Sequence, residues 1–359
     1  MTRAPAARPR SRARAPSPGD LDGARRAALP EFVEPELATL VAEPPPGAGW
    51  IHEIKFDGYR MICRLQGGRA RFWSRNRKDW TAKFPGLARA AAKLAPRAAL
   101  LDGEVVALDA RGRTSFTALK LAWREARQER LTFYVFDALH LDGWDLRRVA
   151  LVERKAALEA ALAGAPDSVR YSDHAGGQAK PFWRAACRAG LEGIVCKRAD
   201  SRYVSGRGTD WLKVKCLLRQ EFVIAGFTPP SKTGKHLGSL VLGVHDPKGA
   251  LRYAGRVGTG FSVEDRRKLR RKLEALERRT PPFDPPPREP DLRDAHWAEP
   301  KLVGEVAFTE WTSDGRLRHP SFQGLREDKP ASEVVRERPR SLRAVRAKAA
   351  KRAKGAKKP

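Results

Sequence analysis

Trp50-Ile51-His52-Glu53-Ile54-Lys55-Phe56-Asp57-Gly58-Tyr59-Arg60 is the stretch on which the reading of this 359-residue chain turns. Its first five residues alternate apolar and polar, the pattern of a half-buried strand. Lys55 falls where that strand gives way to a turn, beside an acid, a glycine and an arginine. A lysine amine is protonated at neutral pH, with a reference pKa of about 10.4. In that form it attacks nothing. Burial and neighbouring cations favour the neutral, nucleophilic amine. Six residues alone also describe a surface lysine in a strand-turn, so the rest of the chain has to decide.

The charge balance narrows the partner. Lys and Arg number 71 against 42 Asp and Glu, a net +29. Residues 1–20 carry five Arg against Asp20, and residues 331–359 carry eleven Lys or Arg against Glu333 and Glu337. The body between them keeps +16 of the total. A basic body with basic tails points to a polyanion such as a phosphate backbone. Cys63, Cys187, Cys196 and Cys216 form no CxxC pair, which argues against a zinc ribbon. Their irregular spacing predicts a reduced, cytoplasmic protein. No apolar run reaches membrane-spanning length, and residues 1–20 lack an apolar signal core.

Residues 1–28 read as a disordered basic arm, and residues 331–359 as a flexible basic tail without an apolar face. Between them, Leu100 to Leu108 reads as strand, Asp-Gly turn, strand. Leu131 to Leu139 reads as an aromatic strand, and Ala150 to Leu162 as a helix with Leu151, Leu158 and Leu162 near one face. In Trp211-Leu212-Lys213-Val214-Lys215, alternation puts the two lysines on one face of a strand. After Leu217–Gln220 the pattern changes to short strands and one helix, N-capped at Ser262, which suggests a small, partly open barrel of the oligonucleotide-binding type.

The ordered motifs from about residue 30 to 330 resemble the covalent nucleotidyltransferase superfamily of ATP-dependent DNA ligases and mRNA-capping enzymes. More narrowly they resemble the ligase domain of bacterial ligase D. The resemblance implies an α+β fold. A nucleotidyltransferase (adenylation) domain of antiparallel sheets with helices, residues 29–218, would precede a β-barrel OB-fold domain, residues 219–330. Lys55-Phe56-Asp57-Gly58-Tyr59-Arg60 matches the motif whose lysine carries AMP, making Lys55 the implied nucleophile and Arg60 a ribose and phosphate contact. Glu53 is similar to the position that reads the adenine edge. Arg75, in Ser74-Arg75-Asn76, would contact the nucleotide with a guanidinium fork. Glu104, in Asp102-Gly103-Glu104, would lie near the ribose or metal. Phe136 would stack on adenine, with Val195 on its other face. Glu192, in Glu192-Gly193-Ile194-Val195-Cys196-Lys197, resembles the metal carboxylate. Lys213 and Lys215 would hold the α-phosphate and lower the pKa of Lys55. In Arg326-Glu327-Asp328-Lys329, Arg326 and Lys329 would reach the leaving pyrophosphate, with Asp328 orienting them.

The implied activity is ATP-dependent sealing of nicked or broken double-stranded DNA in repair or end joining, with a divalent metal, Mg2+ or Mn2+. A hinge near Leu217–Gln220 would gate the site. The resemblance further implies a monomer, associated with the bacterial nucleoid, that works with Ku and with separate polymerase or nuclease proteins. The tails are expected to add DNA affinity and no chemistry. An RNA ligase or capping guanylyltransferase would share Lys55. A non-catalytic end-binding protein would have lost the lysine or the metal carboxylate, and neither is lost.

Overall fold

The computed structural model describes residues 17–355 apart from 126, 217 and 231–236. The first domain is built on two sheets. A seven-stranded sheet runs in the order Arg25–Arg26, Trp144–Asp145, Leu131–Leu141, Ala98–Ala107, Tyr59–Gln66, Arg69–Ser74, with Val169–Tyr171 added alongside Leu131–Leu141. A four-stranded sheet runs Glu36–Leu40, Gly206–Lys215, Gly193–Arg198, Trp50–Ile54. Pairing is antiparallel except for Glu36–Leu40 on Gly206–Lys215 and Val169–Tyr171 on Leu131–Leu141. Ile62, Leu100, Phe136, Leu139, Tyr203 and Trp211 form an apolar cluster drawn from both sheets. The larger core includes Phe72, Phe84, Phe116 and Phe133, all excluded from solvent.

The chain leaves the smaller sheet at Ile54 and enters the larger one at Tyr59. Lys55 therefore sits at the crossing point between the sheets, its backbone N–H donating to the Gly193 carbonyl at 3.0 Å. Gly58 is fixed by space: a Cβ there would collide with the Val105 carbonyl.

The second domain orders Leu251–Val257, Leu240–His245, Leu218–Phe227, His296–Phe308 and Glu277–Arg278, with Ser321–Leu325 also on His296–Phe308. Among the described residues these strands do not close into a barrel. A single parallel bridge, Thr259 to Ser321, joins the far ends. The helix Val263–Glu274 carries the full capping box of Ser262 and Asp265 and buries Leu269 and Leu273.

Three expectations change. Residues 17–28 are folded: Arg25–Arg26 pairs with Trp144–Asp145, Leu21 enters the core, and the Arg26 guanidinium lies 5.0 Å over the Trp144 ring. A sheet edge supplies the backbone partners that this apolar-poor segment cannot make alone. Residues 1–16 lie outside the described residues. Beyond Pro330 the chain is also folded, as far as it is described. Val334 is buried in the second core, and the helix Leu342–Gly355 places Val345 against the smaller sheet of the first domain. Asp102-Gly103 is not a hairpin turn but lies inside the continuous strand Ala98–Ala107, at a register shift opposite Leu131–Leu141. Glycine is required there because a Cβ would strike the Phe133 ring and the Tyr134 carbonyl.

Cys187 and Cys216 form a disulfide with Cα atoms 5.1 Å apart, which corrects the expectation of four reduced thiols. The helix Ala179–Arg188 returns beside the end of Gly206–Lys215, a proximity that spacing in sequence does not encode. Cys63 and Cys196 are free and buried. No helix among the described residues is long and apolar enough to cross a membrane.

Candidate active site

Strand register assembles the site. In the smaller sheet Val195 pairs with Glu53 on one side and Lys213 on the other, so three expected site residues form one row. In the larger sheet Arg60 pairs with Glu104. Two adjoining cavities lie where the rows meet. One, about 180 Å³, is lined by Glu53, Lys55, Arg60, Arg75, Glu104, Phe136, Val195, Lys213, Arg326 and Lys329 among others. The other, about 100 Å³, is lined by six carboxylates and five cations, including Lys55, Glu192, Lys213, Lys215 and Arg326. All twelve expected site residues thus line one or both cavities.

The charge state of Lys55 departs from expectation. Its Nζ lies 2.6 Å from both oxygens of Glu192. Burial works to lower its pKa, but the Glu192 charge and hydrogen bond, helped by Glu104 and Asp57, outweigh burial and raise it. The paired lysines do not make it neutral here. Asp57 accepts from the Phe116 N–H at 3.0 Å and from Arg219 at 2.5 Å, anchoring the loop after the lysine. Burial pushes Glu104 up to about 8 despite nearby Arg60, Lys55 and Arg326. Burial, with Lys215 adding repulsion, brings Lys213 down to about 8.

Arg60 forks onto Asp102 at 2.5 and 2.6 Å and lies 4.4 Å over the Phe136 ring. Lys197 Nζ is also 4.4 Å from that ring, so Phe136 is a covered wall, only 6% exposed. Glu53 is buried against two lysines: Lys155 lies 2.9 Å from Oε1 and Lys197 2.9 Å from Oε2, with the Ser172 hydroxyl donating to Oε2. Burial opposes ionisation of Glu53, but Lys197 and Lys155 hold its pKa below the usual value. Both of its oxygens are therefore engaged, Oε1 by Lys155 and Oε2 by Lys197 and Ser172. Glu53 lines the larger cavity as a carboxylate held in place by two buried lysines.

The second domain closes over this site. Arg326 forks onto Asp328 at 2.8 Å and reaches Glu305 at 2.8 Å. Lys329 pairs with Glu221 at 3.1 Å, and the Asn76 amide donates to the Asp328 carbonyl across the domain boundary. Lys213 and Lys215 pair with Glu337, and Arg75 with Glu333.

Sequence reasoning missed Asp57, Arg219, Glu221, Glu305 and Glu337 as site residues. It also missed Lys155, a fully buried lysine on the helix Leu151–Ala161. An acidic Asp57 within the quoted lysine motif was the available signal. Lys155 had none, because a charged residue between apolar helix positions reads as solvent-facing. Among the described residues no cluster of three or more His, Cys, Asp or Glu is arranged to hold a metal unaided. Glu192 and Glu104 fit an ion that takes its remaining ligands from phosphate and water, as Mg2+ does.

Residues 35–215 match the family described as the ATP dependent DNA ligase domain, and residues 233–329 match the ATP dependent DNA ligase C terminal region. The multifunctional non-homologous end joining protein LigD of Pseudomonas aeruginosa is 44% identical over 314 residues, covering 87% of this chain and 37% of that protein. LigD of Mycolicibacterium smegmatis is 39% identical over 313 residues, covering 86% and 40%. A probable DNA ligase of Beutenbergia cavernae is 31% identical over 318 residues, covering 84% and 59%. The chain thus spans under two thirds of the length of each. The solved structure of mycobacterial DNA ligase D complexed with ATP and MES matches with a TM-score of 0.61 at 37% identity, covering 84% of this chain and 98% of that one.

Proposed function

The chain belongs to the ATP-dependent DNA ligase family, and on that premise we propose that it seals breaks in duplex DNA through a lysyl-AMP intermediate on Lys55. The observation that carries this reading is the convergence of Lys55, Glu192, Lys213, Lys215 and Arg326 on one cavity at the crossing of two sheets.

Each residue has a role. Lys55 Nζ, once deprotonated, attacks the α-phosphorus of ATP; the N–P bond forms as the P–O bond to pyrophosphate breaks. Lys213, Lys215, Arg326 and Lys329 offset the charge growing on the phosphates. Glu53 meets the adenine edge, Val195 flanks one face of the ring and Phe136 the other once Arg60 shifts off it onto the ribose, and Arg75 and Glu104 hold the ribose and phosphates. Glu192 and Glu104 would hold a divalent metal, which supplies Lewis-acid polarisation of the phosphate when bound. AMP then passes to a DNA 5′-phosphate, and the neighbouring 3′-hydroxyl displaces it to close the strand. For the last two steps the second domain must withdraw Arg326 and Lys329, swinging on the residues around Arg219 and Gln220.

Double-stranded DNA is the proposed substrate, and the basic body suits phosphate contacts with steep salt dependence. The relatives named LigD support a place in end joining with a Ku-type end-binding partner. The test is incubation with α-labelled ATP and Mg2+ or Mn2+, followed by addition of nicked DNA or nicked RNA. The expected result is a covalent adduct lost in Lys55→Ala and discharged onto nicked DNA. An adduct surviving Lys55→Ala, or discharged only onto RNA, would sink the reading.

A further inference from the structure

Two glutamates on one segment occupy three cations that the ligase reading gives to the nucleotide. Glu337 Oε1 lies 2.6 Å from Lys213 Nζ, and its Oε2 lies 2.7 Å from Lys215 Nζ. Glu333 pairs with Arg75 at 3.1 Å. Both acids belong to the stretch after Pro330 that leaves the second domain and crosses back to the first. It is anchored at each end. On the second domain Val334 is fully buried and Val335 bridges His245. On the first, Arg340 bridges Val41, its N–H donating to the Leu40 carbonyl at 3.0 Å, and Val345 is buried beside the smaller sheet. Between the anchors one side chain grips both flanks. The buried Gln220 amide donates to the Val335 carbonyl at 3.1 Å, while its Oε1 accepts from the Glu337 N–H at 2.9 Å.

A carboxylate bridging two ammoniums is the electrostatic equivalent of a phosphate with two oxygens on the same lysines. Both cannot occupy the lysines together, because anions crowded into one site repel and each needs the same donors. The strap also crosses the domain boundary, so opening the cleft requires it to detach on one side.

We propose that residues 331–345 form an autoinhibitory strap in which Glu337 stands in for the nucleotide phosphate on Lys213 and Lys215. The strap rests on the ligase reading and adds to it a built-in competitor for ATP. The nucleotide must evict Glu337 to become reactive, and release of the strap frees the second domain to swing.

The test is the ATP concentration giving half-maximal Lys55 adenylation in the full chain. Glu337→Gln keeps the shape and the backbone contact to Gln220 but removes the charge. It should lower that concentration several-fold with the maximal rate unchanged or raised. Val345→Ala loosens the anchor without touching the site and should shift it the same way. Backbone amide exchange across Val335–Arg340 should rise when a non-reactive ATP analogue is added to the wild type. An unchanged or raised half-saturation in both variants, with the wild-type adduct forming normally, overturns the strap. Absence of any adduct in the wild type overturns the ligase reading beneath it, so the two failures are distinguishable.

Discussion

Lys55 Nζ is held 2.6 Å from both carboxylate oxygens of Glu192, and this contact keeps the amine charged. The proposed nucleophile and the proposed metal ligand are thus ion-paired with each other. A divalent ion held by Glu192 would remove the main influence raising the lysine pKa, and would so couple metal binding to activation of the amine.

Adenylation should therefore depend jointly on pH and metal. The folded-state pKa of Lys55 lies above its ordinary value, so the ion pair stabilises the fold at neutral pH and is lost only as pH rises through that raised value. The neutral, reactive amine grows in the same direction. The acid limb of the adenylation rate should move to lower pH as Mg2+ is increased. A limb that ignores metal concentration would show that Glu192 does not hold Lys55 protonated.

Lys213 sets the other limb. Its pKa is down to about 8 in the free protein, chiefly through burial. As pH rises through that value a phosphate-binding charge is lost. The kcat/KM for ATP, which reports the free enzyme, should fall above about pH 8. Lys213→Arg, which stays charged, should remove the fall. A profile identical in Lys213→Arg and wild type would place the limb elsewhere.

Lys329 should separate the steps. It lines the larger cavity from the second domain and pairs there with Glu221 at 3.1 Å. Lys329→Ala should slow lysine adenylation about 100-fold, the scale of losing one electrostatic contact to a transition state. Sealing of a pre-adenylated nick should change little. Equal loss in both assays would argue for a DNA-holding role instead.

Arg154 tests the scaffold. Its guanidinium is fully buried and forks onto Asp137, also fully buried, at 2.8 and 2.7 Å. Removing one partner of such a pair costs about 3–5 kcal/mol. Arg154→Ala should lower the unfolding free energy of the first domain accordingly in denaturant titration, whereas substitution of the exposed Arg198–Asp200 pair should change it by less than about 1 kcal/mol. Similar losses at the two sites would contradict the burial argument.

How much was legible depends on how local each signal is. The lysine motif, the paired lysines and the capping box at Ser262 are set by neighbours within a few residues, and strand alternation places Lys213 and Lys215 on one side without tertiary help. Asp102-Gly103 misled because an Asp-Gly pair is a turn only when nothing else holds the strand straight. Here Leu131–Leu141 and Tyr59–Gln66 flank it on both sides. The terminal segments misled because their composition is that of disordered chain, while a free sheet edge and an uncovered apolar face elsewhere in the fold give them partners.

The candidate nucleophile Lys55, the order of the motifs around it and the excess of positive charge are all legible in the sequence. These follow from residue identity and short-range periodicity. Only the tertiary structure decided the state of that group. Whether Lys55 is neutral or charged, and whether Lys213 and Lys215 face a phosphate or Glu337, depends on Coulomb interactions between residues 122 to 137 positions apart that folding brings within 2.7 Å.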